Sequence, residues 1–259
     1  MLFRSFLRSH PGRGERELVV ASVDGSGDRV VATRKLPAGF SGGPAWSPDG
    51  QTLAIGAGTY TGAFRTTIVA VPAAGGPEKS FTTQSWFTVR GAPVWLPDGS
   101  GLILAAASQQ TFFSGQLWLL SYPDGKVRRI TNDLNDYAGV SLTADASALV
   151  TVQTDILSNL WIVPEGDSAR ARQITSGTGT HDGAGGVDWT PDGKIVYASR
   201  LSVNVNLWSI GAEEGGKPKQ LTTNRIDIDP SVARDGRTIV FSSDRTGSQI
   251  GRASCRERV

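Results

Sequence analysis

The run Trp46-Ser47-Pro48-Asp49-Gly50 constrains this chain more than any other stretch, because it returns four times in altered form. The returns are Trp95-Leu96-Pro97-Asp98-Gly99, Leu142-Thr143-Ala144-Asp145-Ala146, Trp189-Thr190-Pro191-Asp192-Gly193 and Val232-Ala233-Arg234-Asp235-Gly236. Successive aspartates stand 49, 47, 47 and 43 residues apart. A period of that length, with a strand-like segment after each copy, predicts the four-stranded blades of a β-propeller. Proline presets φ for the second turn position, aspartate tolerates the next, and glycine re-enters the ladder at positive φ. Asp49, Asp98, Asp145, Asp192 and Asp235 are accordingly read as structural turn residues rather than ligands.

Composition agrees with an all-β chain. Of 259 residues 39% are hydrophobic, and 32 glycines with 13 prolines suit many short strands joined by turns. No apolar run reaches the roughly 18 residues that a spanning helix needs. Residues 2–8 are too short and too charged for the core of a signal peptide.

The two ends change how charge is read. Residues 250–259 resemble a translated short-read sequencing adapter, and residues 1–5 resemble the opposite adapter read inwards. Both are expected to be artefacts, leaving residues 6–249 as a propeller fragment of a longer protein. Without these ends the chain has 22 basic and 23 acidic residues, so its net charge moves from +2 to −1. The basic pI then gives no reason to expect nucleic acid or a membrane surface as partner. Cys255 and Met1 fall in the same segments, which leaves neither a disulfide nor a thiolate metal ligand.

Taken in order, residues 17–23 and 29–33 read as a hairpin, the outer half of a blade whose inner half is missing. The first full repeat is read as strands at 43–46, 52–56, 66–71 and 78–81, and the next at 92–95, 102–105, 116–121 and 127–131. Its Leu117-Trp118 pair has counterparts at Leu160-Trp161 and Leu207-Trp208, and Ile130-Thr131 has counterparts at Ile174-Thr175 and Leu221-Thr222. The unit with Ala144 and Ala146 is degenerate, and the last stops after its inner hairpin. The expectation is four complete blades flanked by two half blades. Trp46, Trp95 and Trp189 are read as wedges between blades, each able to bury on the order of 150–250 Å².

This grammar of W-S-P-D-G hairpin, apolar strand, Leu-Trp strand, Asp-Gly turn and Leu-Thr ending resembles the TolB-like, WD-type propeller repeats of bacteria. More narrowly, residues 22–35 followed by 43–50, together with 120–137, look like the propeller that follows the kinase domain in certain bacterial serine/threonine protein kinases. The resemblance implies a non-catalytic scaffold or sensor from the C-terminal region of such a kinase. Related propellers imply two alternatives: the gating domain of a prolyl-oligopeptidase-type serine peptidase, or a stand-alone periplasmic TolB-like protein. The compartment, cytoplasmic or extracytoplasmic, depends on the missing N-terminal region.

The residues themselves offer little chemistry. His10 and His181 are the only histidines, and neither a G-x-S-x-G elbow nor the kinase H-R-D and D-F-G signatures occur. The Gly-rich run 176–186 lies between an outer and an inner strand and opens no helix, so it reads as a connection, not a phosphate loop. Asp133, Asp136, Asp182, Asp227 and Asp229 also fall in connections and read as solvated loop carboxylates before a Ca²⁺ site. No metal and no cofactor is expected. What remains is a binding surface on the face where the connections from each outer strand to the next inner strand meet those between the second and third strands, the latter including 59–60, 111–113 and 200–201, with the repeat turns on the opposite face. Trp86, Arg90, Tyr137 and His181 are the binding-face candidates there, for an unknown protein or small ligand, since exposed aromatics beside an arginine mark interaction hot spots.

Overall fold

The computed structural model describes residues 3–60, 64–109, 114–133, 135–177, 180–200, 204–213, 216–223 and 226–243. Residues 1–2 and 250–259 of the expected artefacts lie outside these, as do 111–113 and 201 of the expected binding loops. The chain divides into two compact units, Met1–Thr154 and Asp155–Val259. Both are built of antiparallel β-structure of the propeller type.

In the first unit, β1 (Phe3–His10), β2 (Glu15–Ser22) and β3 (Arg29–Lys35) form a three-stranded sheet in that order. The hairpin expected at 17–33 is thus joined by a further strand. Phe3, Arg4 and Ser5, expected to be artefactual, pair with Ser22, Ala21 and Val20. The run Arg4-Ser5-Phe6-Leu7-Arg8-Ser9 carries no clean apolar alternation, so only backbone pairing to the buried β2 identifies it as a strand.

Two four-stranded meanders follow. The first is β4 (Ala38–Trp46), β5 (Thr52–Tyr60), β6 (Phe64–Pro72) and β7 (Lys79–Ser80). The second is β8 (Thr88–Trp95), β9 (Gly101–Ala107), β10 (Gly115–Ser121) and β11 (Val127–Arg129). The pair β12 (Asp136–Leu142) and β13 (Leu149–Thr154) ends the unit.

The second unit begins with the pair β14 (Trp161–Ile162) and β15 (Arg172–Gln173). A third four-stranded meander follows, of β16 (Val187–Trp189), β17 (Lys194–Ser199), β18 (Asn206–Gly211) and β19 (Lys219–Gln220). The described strands end with the pair β20 (Asp227–Val232) and β21 (Ile239–Ser243). The degenerate repeat is the one divided between the units, its inner hairpin in the first and its outer hairpin in the second.

Two features recur from sheet to sheet. After three of the outer strands, β11, β15 and β19, a threonine turns its hydroxyl onto the Leu-Trp strand. Thr131, Thr175 and Thr222 Oγ1 accept from the amides of Leu117, Leu160 and Leu207, each at 3.0 Å. The hydroxyl takes over where the short outer strand has run out of carbonyls.

The second recurrence lies in the innermost strands. Their register jumps between Ser41 and Ala45, Arg90 and Val94, Ala138 and Val140, and Ile228 and Ser231. Each jump contains a residue at positive φ: Gly42, Gly91, Gly139 and, without glycine, Asp229. Such bulges bend a strand and re-aim its side chains. Within the first unit the bulges touch: a Cβ on Gly42 would lie 2.2 Å from the Gly91 carbonyl oxygen, and one on Gly91 would lie 3.3 Å from Gly139 Cα. In the second unit, Gly186 meets Asp229 Cα at 3.0 Å in the same sense.

The apolar core lies between sheets. Leu18, Val20, Phe40, Leu53 and Ile55 fill the space between β1–β3 and β4–β7, with Trp46 against them. Ala54, Ile68, Phe81, Trp86, Trp95 and Leu104 fill the next. Trp95 donates its indole N–H to the carbonyl of Ala45 at 3.2 Å and meets Phe81 edge-on, so it wedges adjacent sheets as read from the sequence. Trp189 does not: it is 51% exposed, as is its strand neighbour Val187 at 52%.

The hub contact is testable. Gly42→Ala should lower unfolding free energy by roughly 1–3 kcal/mol, from backbone strain at positive φ together with the collision at Gly91. Gly211→Ala, where a Cβ meets nothing within 4 Å, should stay within about 0.5 kcal/mol of the parent. Urea denaturation of the full chain measures both.

Candidate functional site

Within each unit the two ends of the sheets differ in chemistry. At one end sit the repeat turns, and their aspartates fold back on their own backbone. Asp49 accepts from the Ser47 hydroxyl and the Gln51 amide, Asp98 from the Ser100 amide and hydroxyl, and Asp145 from Thr143 and Ser147. Asp192 accepts from Thr190 and pairs with Lys194 at 2.7 Å, and Asp235 accepts from the Arg237 amide. These bonds hold the carboxyls of Asp49, Asp98 and Asp192 below the ordinary value, the Ser47 hydroxyl, the Ser100 amide and the Lys194 side chain being the respective first causes. Asp145 is lowered to about 2, chiefly by the Thr143 hydroxyl. The hydrogen bonds within the turns all fall on Oδ1, so they fix the orientation of each carboxylate within its turn.

The opposite end carries the connecting loops and the four candidates. Trp86 is not on the surface. It is 0% exposed, lies in the core between two sheets, and packs edge-on to Trp118 at 5.9 Å. Its backbone bridges Thr66, which draws the loop inward and buries the ring. Tyr137 is likewise 8% exposed, and its hydroxyl donates to Asp133 at 2.8 Å. That bond pushes the phenol's pKa up. The exposed aromatic pair expected from the sequence is therefore a pair of core residues.

Arg90 is held at the loop end of β8 by an ion pair with Asp136, whose second oxygen accepts from the Gly115 amide at 2.7 Å. Gln116, itself buried, donates to the carbonyls of Asn135 and Asp133, so the loop beside Tyr137 is cross-braced. The structure thus brings Arg90 beside the Asp136-Tyr137 step and sends Trp86 elsewhere. His181, in the second unit, is partly buried with Nε2 3.5 Å from a guanidinium nitrogen of Arg200. Next to it Asp182 is buried and accepts from the Ser199 hydroxyl. The phenol of Tyr197 is pushed well up by burial, with the Asp182 charge adding to it. Among the described residues no group of three or more His, Cys, Asp or Glu side chains could hold a metal ion.

The loop end of the first unit also contains a cleft of about 590 Å³. It opens between the β1–β2 connection, the β3–β4 connection and the loop ends of β5, β6 and β8. Pro11, Leu36 and Pro37 form its lip, with Gly39, Phe40 and Gly58 among its lining. Its charged lining residues are Glu15 and Arg16, together with His10. Each is engaged within the chain: Glu15 with Lys35 at 3.4 Å, Arg16 with the Phe40 carbonyl at 2.9 Å, and His10 with Glu17 at 3.0 Å. A cleft of this size is in the range of small-molecule sites. Sequence reasoning did not find it. Its lining comes from the segments 9–16 and 36–41, whose Gly, Pro and charged residues read locally as punctuation, and only β1 makes them a wall.

No protein-family model matches the chain, and no curated protein matches it in sequence. Among solved structures it is similar to TolB from Acinetobacter baumannii, at 18% identity over 95% of this chain and 48% of that one, with a TM-score of 0.41. It is similar to one of two prolyl endopeptidases studied for inter-domain dynamics, at 11% identity over 93% of this chain and 38% of that one, with a TM-score of 0.45. It is also similar to the β-propeller domain of the Trilobed protease from Pyrococcus furiosus, at 12% identity over 93% and 85%, with a TM-score of 0.38. The chain spans less than half the length of the first two.

Two outcomes follow from this geometry. Trp86→Ala should cost roughly 3–5 kcal/mol of stability as a core truncation, whereas Trp161→Ala, at a ring 58% exposed, should cost under about 1 kcal/mol. Urea denaturation compares them. The turn carboxylates predict a pH effect. The folded pKa of Asp145, about 2, lies below its ordinary 3.8, so its charge favours the fold above pH 3.8, and that contribution disappears as pH falls toward 2. The difference in Tm between the parent and Asp145→Asn should therefore be constant above pH 4 and vanish by about pH 2.

Proposed function

We propose that the chain is a non-catalytic propeller segment whose loop end binds a small ligand or protein, serving as a scaffold or sensor in the C-terminal region of a bacterial serine/threonine protein kinase. The observation that carries the binding reading is the asymmetry between the two ends. At the turn end Asp49, Asp98 and Asp145 each accept from a backbone amide of their own turn, while the loop end offers a cleft of ligand size in the first unit. The non-catalytic reading is supported by the sequence, which carries neither a G-x-S-x-G elbow nor the H-R-D and D-F-G signatures. The kinase context is supported by the resemblance of residues 22–35, 43–50 and 120–137.

A fragment library screened against the ¹⁵N-labelled full chain tests the binding reading. Amide shifts should cluster at the loop ends, around Gly39, Thr88 and Arg90. Shifts centred instead on the turns at Asp49, Asp98 or Asp192 would overturn it. The kinase context is tested separately by the flanking coding sequence, where H-R-D and D-F-G motifs upstream are expected and a G-x-S-x-G downstream would replace it with a peptidase.

A further inference from the structure

Strand β2 sorts its charges by face. Successive side chains of a strand point to opposite faces, and Arg16 has the parity of Leu18 and Val20, which pack with Phe40, Leu53 and Ile55 of the neighbouring sheet. Glu15 and Glu17 have the other parity. Lys35 meets Glu15 at 3.4 Å, and Arg8 and His10 meet Glu17 at 3.8 and 3.0 Å. The acids of β2 are thus matched by bases on their own face, and Arg16 is left on the face turned to β4.

Arg16 has a like charge directly across the ladder. Its register partner on β3 is Arg34, and like charges so placed disfavour each other. Arg34 is relieved by an ion pair with Glu78 and lies over the Phe40 ring, 5.4 Å from its centroid. Arg16 has no such relief. Among the described residues it meets no carboxylate, and its guanidinium makes one hydrogen bond, from Nη1 to the Phe40 carbonyl at 2.9 Å. A neutral carbonyl holds the group in place without cancelling its charge. Nε and Nη2 are left as a planar edge, the fork that suits the two oxygens of a carboxylate. Arg16 is exposed and lines the cleft, so an entering ligand can reach that edge.

The rest of the lining fits an apolar body. Leu36, 71% exposed, stands at the lip beside Pro37 and Pro11, and Ser9, the register partner of Arg16 on β1, adds a hydroxyl. We infer that the cleft binds a small organic monocarboxylate, its head on Arg16 and its apolar body against Leu36 and Pro37. This rests on the loop-end reading above and names its ligand class. One unmatched cation suits a single negative charge, whereas a phosphate monoester brings nearly two.

Four probes titrated at pH 7 into the ¹⁵N-labelled full chain test it: 4-phenylbutyrate, its uncharged amide, 4-phenylbutylammonium and inorganic phosphate. The carboxylate should bind about tenfold more tightly than the other three, the worth of a charge-assisted pair, with shifts at the Ser9, Arg16, Gly39 and Thr88 amides. Arg16→Gln should weaken it by about tenfold, to the level of the amide, and Arg16→Lys, which keeps the charge but not the fork, should fall between. Arg13→Gln removes an equal charge from the same β1–β2 connection, at a residue outside the lining, and should change affinity by less than about twofold. Matching Tm values for the variants show that the loss is not unfolding. Equal or tighter binding of the amide or the ammonium overturns the ligand class, and equal or tighter binding of phosphate overturns the carboxylate. Undiminished binding by Arg16→Gln overturns the role of Arg16. Shifts around Arg90 and Tyr137 without any at Gly39 overturn the site but leave the loop-end reading standing, whereas shifts confined to the turn aspartates defeat that reading itself. Absence of binding by all four probes overturns the inference.

Discussion

The innermost strands come together backbone to backbone, and the rest of the first unit depends on it. Gly42, Gly91 and Gly139 form a row of side-chain-free positions at positive φ, packed so closely that a Cβ on the first would occupy the carbonyl oxygen of the second. The same contact in the second unit sets Gly186 against Asp229, where aspartate, one of the few residues that tolerates this conformation, stands in for glycine. Each of these strands is thereby cut into two segments of different register. The segment toward the repeat turn buries tryptophan between sheets, as Trp46 and Trp95 do. The other segment is re-aimed toward the loop end, which is how Arg90, the residue before Gly91, comes to meet Asp136.

From this division follows the contrast between the two ends of each unit. A turn of four residues has just enough polar groups to satisfy itself, and its aspartate does so by taking the hydroxyl and amide beside it. The loop end has no such local solution. Its polar groups are satisfied by long-range partners: Gln116 with the carbonyls of Asp133 and Asn135, Asp136 with Arg90 and the Gly115 amide, and Arg16 with the Phe40 carbonyl. Those partners come from different strands, and they enclose space between them. Enclosed space therefore arises where local turn chemistry gives out.

Individual residues show how much of this a sequence displays. The turn aspartates were legible because five copies share a spacing and a local bonding pattern that needs nothing beyond six residues. Blade grammar was legible for the same reason, down to the threonine that follows three of the outer strands, although its hydroxyl bond to the Leu-Trp strand is visible only in three dimensions. Exposure was not legible. Trp86, in a loop segment, is fully buried, while Trp189, which reads as a wedge between blades, is more than half exposed, as is Trp161 of the repeated Leu-Trp pair. A tryptophan's burial is decided by which sheet covers it, and local pattern carries no information on that. The cleft was hidden more completely, because Gly39, Leu36 and His10 have no shared motif and meet only through pairing of strands.

The sequence by itself determined a repeating all-β chain, the turns that divide it, and the scarcity of histidine and cysteine, since each of these rests on neighbours in the chain or on composition. Tertiary structure decided which loop residues are surface and which are core, which charges are already matched, and where a ligand-sized space is left. Those depend on contacts between strands that a one-dimensional pattern does not order. Gly39 shows the difference most plainly. In the sequence it is one of 32 glycines, and only the packed sheets distinguish it from Gly42: an added Cβ would meet nothing within 4 Å at Gly39, and the Gly91 carbonyl oxygen at Gly42.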